Sequence, residues 1–238
     1  MQRRWQVIAD PPTEFFTSHP ELPPLVARLL YFRGLHTQAA IDEFLNPDYS
    51  QDVHDPYRFR DMAKAVERIF LAQSKDEMIT IHGDYDADGV SASVILSSLF
   101  TLLSIRHDVF LPHRETDGYG LNTNTVNLLH ERGTKLIITC DCGVSNVEEV
   151  RLAQSLGVDV IVTDHHAIPA TLPPAHAIIH PKINGETYPD KGLSGGGVAF
   201  KLAQAILKKH QATNSTLPNG ERHESFEKWL LDMVAISS

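Results

Sequence analysis

Met78-Ile-Thr-Ile-His82-Gly-Asp84-Tyr-Asp86-Ala-Asp88-Gly-Val-Ser-Ala-Ser93 joins a short apolar, β-prone run to three carboxylates at alternate positions and then, past Gly89, to a long apolar stretch. The first part has the composition of a strand and the last that of a helix, so the acids occupy a strand-to-helix turn. In an open α/β sheet, ligands sit in the crevice beyond the carboxyl ends of the strands. Asp84, Asp86 and Asp88 repel one another unless a cation neutralises them, and His82 beside the oxygens favours manganese, magnesium or zinc over calcium. A calcium loop also begins Asp-x-Asp-x-Asp-Gly, but it requires glutamate at its twelfth position, where this chain has Ile95. A solvated acidic turn is the remaining alternative for this stretch taken alone.

Outward from residue 78 the pattern alternates: strand 78–82, helix 89–104, strand 107–111, helix 123–132, strand 135–140, helix 146–156, strand 158–163. This predicts an α/β fold with a mostly parallel sheet and helices on both faces. The near-continuous apolar runs Lys135-Leu-Ile-Ile-Thr-Cys140 and Val158-Asp-Val-Ile-Val-Thr163 suit strands covered on both sides. The first strand closes on His82 and its acids, the third on Asp141-Cys142-Gly143 and the fourth on Asp164-His165-His166. Three strands of one parallel sheet therefore deliver aspartate and histidine to the same edge. Three such ends, all of metal-ligand type, point to a metal centre rather than to solvation.

The remainder sets bounds. A chain of 238 residues with 42% hydrophobic composition fills one large α/β domain or two small ones. Residues 1–60 are punctuated by proline and read as a helical preface, with helical patterns at Leu25–Leu30 and Thr37–Leu45; residues 61–238 form the chemistry-bearing domain, Asp61 capping its first helix. Arg3 and Arg4 precede no apolar run, and no run approaches a membrane span, so the expected location is cytoplasmic. Cys140 and Cys142, one residue apart, suit neither an ordinary disulfide nor a paired Cys-x-x-Cys zinc site and read as packed thiols. The net charge of −9 opposes bulk coating of nucleic acid but leaves room for a local basic face built from Arg114, Lys182, Lys201, Lys208 and Lys209.

His82-Gly-Asp-Tyr-Asp-Ala-Asp-Gly89, Asp141-Cys-Gly143 and Asp164-His165-His166 resemble the first three motifs of the DHH phosphoesterase superfamily. Gly118-Tyr119-Gly120-Leu121, Ser194-Gly195-Gly196-Gly197-Val-Ala-Phe-Lys201-Leu202 and Leu231-Asp-Met-Val-Ala235 are similar to its branch of single-strand-specific 5′→3′ DNA exonucleases. The resemblance implies phosphodiester hydrolysis with two divalent ions, Mn2+ or Mg2+, about 3.5–4 Å apart. By resemblance, His82 and Asp86 hold one ion, Asp88 and His165 the other, and Asp141 bridges them. His166 is implied as the phosphate contact or proton donor, with Asp84 and Asp164 orienting ligands.

For the substrate, Arg114 is a candidate clamp on a terminal phosphate and Tyr119, between Gly118 and Gly120, a candidate stacking platform. Ser194 to Gly197 open a helix whose amides are placed to attract phosphate, or whose glycines permit close helix packing, and Lys201 is counted with the substrate face. The family pattern leads one to expect a further aspartate and further domains after the Leu231–Ala235 segment, so the chain reads as the N-terminal catalytic half of such a nuclease. Cysteine stands at position 142 where the family usually has asparagine. The implied partners are single-stranded DNA, single-stranded-DNA-binding protein and recombination or mismatch-repair proteins. Two alternatives stay open: a phosphodiesterase for short oligonucleotides or cyclic dinucleotides, and a non-catalytic replication scaffold.

Overall fold

A computed structural model describes residue 6 and residues 8–113, 115, 118 and 120–238. The chain divides into two compact units, residues 1–54 and 55–238. The first contains helices α1 (Thr13–Ser18), α2 (Pro24–Phe32), α3 (Gln38–Leu45) and α4 (Tyr49–Asp52). Pro24 begins α2, where a missing N–H costs nothing, and Thr37 caps α3 by accepting the amide of Ala40. Phe15, Ala27, Leu30 and Ile41 are its small core.

The second unit opens with a 3-10 turn, Pro56–Arg58, and alternates thereafter: α5 (Met62–Ser74), β1 (Met78–His82), α6 (Ala87–Leu102), β2 (His107–Phe110), α7 (Thr123–Glu131), β3 (Thr134–Cys140), α8 (Val147–Ser155), β4 (Asp159–Thr163), β5 (Ala177–Ile179), α9 (Gly195–Gln211), α10 (His223–Trp229) and α11 (Leu231–Ser237). Every strand pair is parallel, in the order β2-β1-β3-β4-β5. Successive side chains of a strand point to opposite faces, and two cores result. Ile79, Ile81, Leu136, Ile138 and Ile161 pack with α5, α6 and α9 on one face. Ile137, Val160 and Val162 pack with α7 and α8 on the other. The α/β architecture anticipated from the alternation is thus present, with element ends displaced by one or two residues.

Two local features differ from the sequence expectations. Strand β5 is three residues long and lies in a proline-rich segment, too short to leave a period-2 signature. Asp61 does precede α5, but its carboxylate makes no cap bond there; it accepts the amide of Ile178 at 3.1 Å and ties the helix start to β5.

Register places the site. His82 lies opposite Phe110 and Thr139, Cys140 opposite Thr163, and Thr163 opposite Ile179. The residues that follow therefore leave the sheet at one level. From β1 the chain order runs outward to β2, whereas β3, β4 and β5 lie on the other side, so the order reverses between β1 and β3, where an open parallel sheet forms its crevice. Among the described residues no helix is long and apolar enough to cross a membrane.

Ile138, fully buried at the centre of β3, tests this core. Ile138→Ala is expected to lower stability by about 2–5 kcal/mol in urea unfolding, the range for deleting a buried aliphatic side chain.

Candidate metal centre

The acidic turn is built by helix capping. Asp86 is the N-cap of α6, one oxygen accepting the amides of Asp88 and Gly89, both at 3.0 Å. Gly89 is required because the turn folds back on itself: a Cβ there would lie 2.5 Å from the Asp84 nitrogen and 2.7 Å from its Cα. Asp84 is consequently buried, Asp88 half-buried and Asp86 exposed. His82, fully buried at the end of β1, stacks on Phe110 with ring centroids 5.4 Å apart and has the Cys142 sulfur 3.8 Å from Nδ1.

Asp141 follows β3 with φ of 62°, a left-handed conformation uncommon for a residue with a side chain. Its amide still pairs with Thr163 O at 3.0 Å, so the turn is continuous with the sheet. Its carboxylate is 1% exposed, with His165 Nε2 at 3.1 Å and His166 Nδ1 at 3.7 Å. Burial is the largest influence on this carboxyl and pushes its pKa up; the hydrogen bond from His165 pulls it down, and the negative charge of Asp88 raises it again. His165 responds in kind: its bond to Asp141 raises its pKa, burial opposes this, and the charges of Asp141 and Asp88 add to the rise.

Asp164 is a framework acid. One oxygen accepts the amides of His165 (2.7 Å) and His166 (3.1 Å) and lies 2.8 Å from His166 Nδ1; the other accepts the Val144 amide at 2.9 Å. It thereby shapes the turn after β4 and fastens it to the turn after β3. Burial drives the thiol of Cys140 up to about 12 and that of Cys142 well above its ordinary value; both are free.

Among the described residues two groups of donor atoms, each within 4.8 Å of one another, result: Asp141 with His165 and His166, and Asp84 with Asp86 and Asp141. Asp88 adjoins the first, its Oδ2 lying 3.4 Å from His165 Nε2. His82 belongs to neither group. One set, with Asp88, offers two carboxylates and two imidazoles and the other three carboxylates; both suit hard or borderline divalent cations, and a cation between them would offset the negative charge gathered at Asp141. Beside His166 opens a pocket of about 290 Å3 bordered by Val144, Ser145, Asn146 and Asp164.

The residues expected to meet substrate divide. Arg114 and Tyr119 lie outside the described residues. Gly120 is buried against Asn146 and Gly118 is exposed. The glycine run at α9 has a different occupant from the one expected: Gly195 N and Gly196 N donate to the two oxygens of Asp88 at 2.8 and 2.6 Å, and Ser237 Oγ donates to the same carboxylate at 2.6 Å. Ser194 caps the helix by accepting the Gly197 amide. The anion-attracting helix end therefore serves a carboxylate of this chain. Lys201 is not at the cluster: it is 5% exposed, bonds Gln204 Oε1 at 2.8 Å, and burial lowers its pKa to about 8. It stands on the core-facing side of a helix buried along most of its length and not, as the sequence suggests, on an exposed substrate face.

Sequence reasoning leaves His180 out of the site and places Lys182 only on a general basic face. His180, fully buried just after β5, has Nε2 3.0 Å from His166 O, and its Nδ1 accepts the Lys182 amide at 3.1 Å. Lys182 Nζ donates to His165 O at 2.6 Å. A histidine directly after a strand whose end, Ile179, is level with Thr163 is the available signal, but β5 is too short to be seen as a strand.

The DHH family, N-terminal domain, matches residues 78–237, and the chain belongs to this family. It is similar to the single-stranded-DNA-specific exonuclease RecJ of Bacillus subtilis, 44% identical over 80% of this chain and 24% of that protein. RecJ of Escherichia coli is 37% identical over 78% of this chain and 32% of its own length. The crystal structure of RecJ from Thermus thermophilus in complex with Mn2+ superposes with a TM-score of 0.66 at 28% identity, covering 87% of this chain and 29% of that one. The chain thus spans between 24% and 32% of the curated relatives named.

Gly195 provides a test of the packing around Asp141. A Cβ there would sit 2.5 Å from Asp141 Oδ1 and 2.6 Å from its Cγ, inside a buried turn that has no room to retreat. Gly195→Ala is expected to destabilise by about 1–3 kcal/mol in thermal or chemical unfolding, as overpacking does.

Proposed function

We propose that this chain carries the metal-dependent phosphodiesterase site of a RecJ-like exonuclease, acting 5′→3′ on single-stranded DNA with two divalent ions, Mn2+ or Mg2+, in a cytoplasmic setting. The observation that carries the reading is the convergence of Asp84, Asp86, Asp141, His165 and His166, from three strand ends, into two donor groups that share Asp141. Membership of the DHH family and likeness to proteins named single-stranded-DNA-specific exonucleases support the substrate.

In this reading Asp141 serves both ions, Asp88 and His165 one, and His82 and Asp86 the other. Asp84, which the resemblance gives an orienting role, has an oxygen at ligand spacing from Asp86 and Asp141, so we include it with them. Bound divalent cations supply charge for the phosphate oxygens and acidify water. Everything else is done by side chains. Asp164 fixes the ring of His166 through Nδ1, leaving Nε2 for a phosphate oxygen or for proton delivery to the departing oxygen. The buried β3 and β4 ends keep Asp141 and Asp164 dry, which strengthens their electrostatic interactions. The pocket beside His166 offers room for a phosphate group next to that ring.

The test is hydrolysis of a labelled single-stranded oligonucleotide in Mn2+ beside a duplex control. Mononucleotide release from the single strand alone is expected, with Asp141→Ala inactive; equal cleavage by Asp141→Ala would overturn the reading. Asp164→Asn, which leaves the donor groups in place but loosens the His166 turn, should lower metal affinity or rate about 10–100-fold, as loss of an outer hydrogen bond does.

The pH dependence has a definite sign. His165 must be unprotonated to donate a lone pair to a metal, and Asp141 raises its pKa, so metal uptake releases a proton. Mn2+ affinity should therefore strengthen as pH rises through the raised pKa of His165. A calorimetric titration in two buffers of different ionisation enthalpy would report the proton; its absence would count against His165 as a ligand.

A further inference from the structure

We propose that Lys182 binds the DNA backbone beside the scissile phosphate, an assignment that rests on the single-strand nuclease reading above. The exposed ammonium donates to His165 O at 2.6 Å, the carbonyl of the very residue whose side chain touches Asp88 and Asp141. Its bonded partner is a neutral carbonyl. By contrast, Lys208 and Lys228 are paired with Asp55 at 3.1 Å and Glu224 at 2.8 Å. A cation at the rim of a strongly acidic site, not paired with any carboxylate among the described residues, keeps its charge for an incoming anion.

The position is held by backbone and not by the flexible side chain alone. Lys182 N donates to His180 Nδ1, so that nitrogen is the acceptor and the proton of the neutral ring is on Nε2, which donates to His166 O. Burial lowers the pKa of His180, in accord with a ring that both accepts and donates. The loop carrying Lys182 is thus keyed to the turn that carries His165 and His166. The carbonyl that Lys182 bonds belongs to the residue before His166, so a strand with one phosphate at His166 has a cation close by for another. Exchanging a carbonyl for a phosphate oxygen replaces a neutral acceptor by a charged one, which strengthens the bond.

The experiment compares wild type, Lys182→Gln and Lys182→Arg in three measurements: Mn2+ affinity, cleavage of a single-stranded oligonucleotide in Mn2+, and binding of the same oligonucleotide in Ca2+ by fluorescence anisotropy over a series of salt concentrations. Lys182→Gln is expected to bind about tenfold more weakly and raise KM by a similar factor, with kcat and Mn2+ affinity within about twofold of wild type. Its dependence of log affinity on log salt should be shallower by about 0.7, one single-strand phosphate contact. Lys182→Arg should restore most of the loss. An unchanged KM and salt slope would overturn the assignment, and so would a loss of Mn2+ affinity in Lys182→Gln, which would make the residue a support for His165. If wild type itself neither binds nor cleaves the oligonucleotide, the nuclease reading fails and this inference with it; if wild type does both and Lys182→Gln behaves as wild type does, this inference fails alone.

Discussion

Repulsion between carboxylates brought out of water around Asp141 is the constraint on which the rest of the structure turns. Asp84, Asp141 and Asp164 are buried within a few residues of strand ends, and Asp86 and Asp88 stand beside them. Four of them show distinct means of staying there. Asp86 caps α6, Asp164 gathers three amides, Asp88 is held by the start of α9, and Asp141 leans on His165. Because these means come from different elements, the site forms only when sheet, helices and loops are all in place. A hydrophobic core that sets the register of β1, β3 and β4 to within one residue is therefore part of the chemistry.

Helix α9 joins the two roles most directly. It is apolar around most of its circumference and packs against α6 in the interior, yet its first turn touches Asp88 and comes so close to Asp141 that only glycine fits. Small shifts of the core along α6 and α9 are transmitted to both acids, since a packed interior moves as blocks.

The parallel sheet is legible in the sequence because β-branched runs and amphipathic stretches alternate strongly from residue 78 onward, and the acids and histidines stand out because each follows such a run. What is not legible depends on close approach between segments far apart in the chain. The Ser194–Gly197 run reads as a cradle for phosphate; the physics of a helix end attracting an anion holds, but the anion is Asp88. Lys201 groups with a basic face because helical phase alone does not say that α9 is enclosed. Asp61 reads as a cap, whereas β5 supplies it with a better amide. His180 is hard to see, and Lys182 is only one lysine of a basic face, because three residues of β5 carry no periodicity, although that strand aligns both with the edge that carries the donor atoms.

The two cysteines of β3 and its turn have a use unrelated to the site. Both are inaccessible, and their thiols are held in the unreactive protonated form by burial. A thiol reagent in solution therefore meets neither until the sheet opens at its carboxyl edge. The rate of labelling becomes a clock for that opening: where reclosing outruns reaction it reports the free energy of the open form, and where reaction outruns reclosing it reports the opening rate. The chain thus carries, at the middle of its sheet, a built-in chemical probe of its own local unfolding.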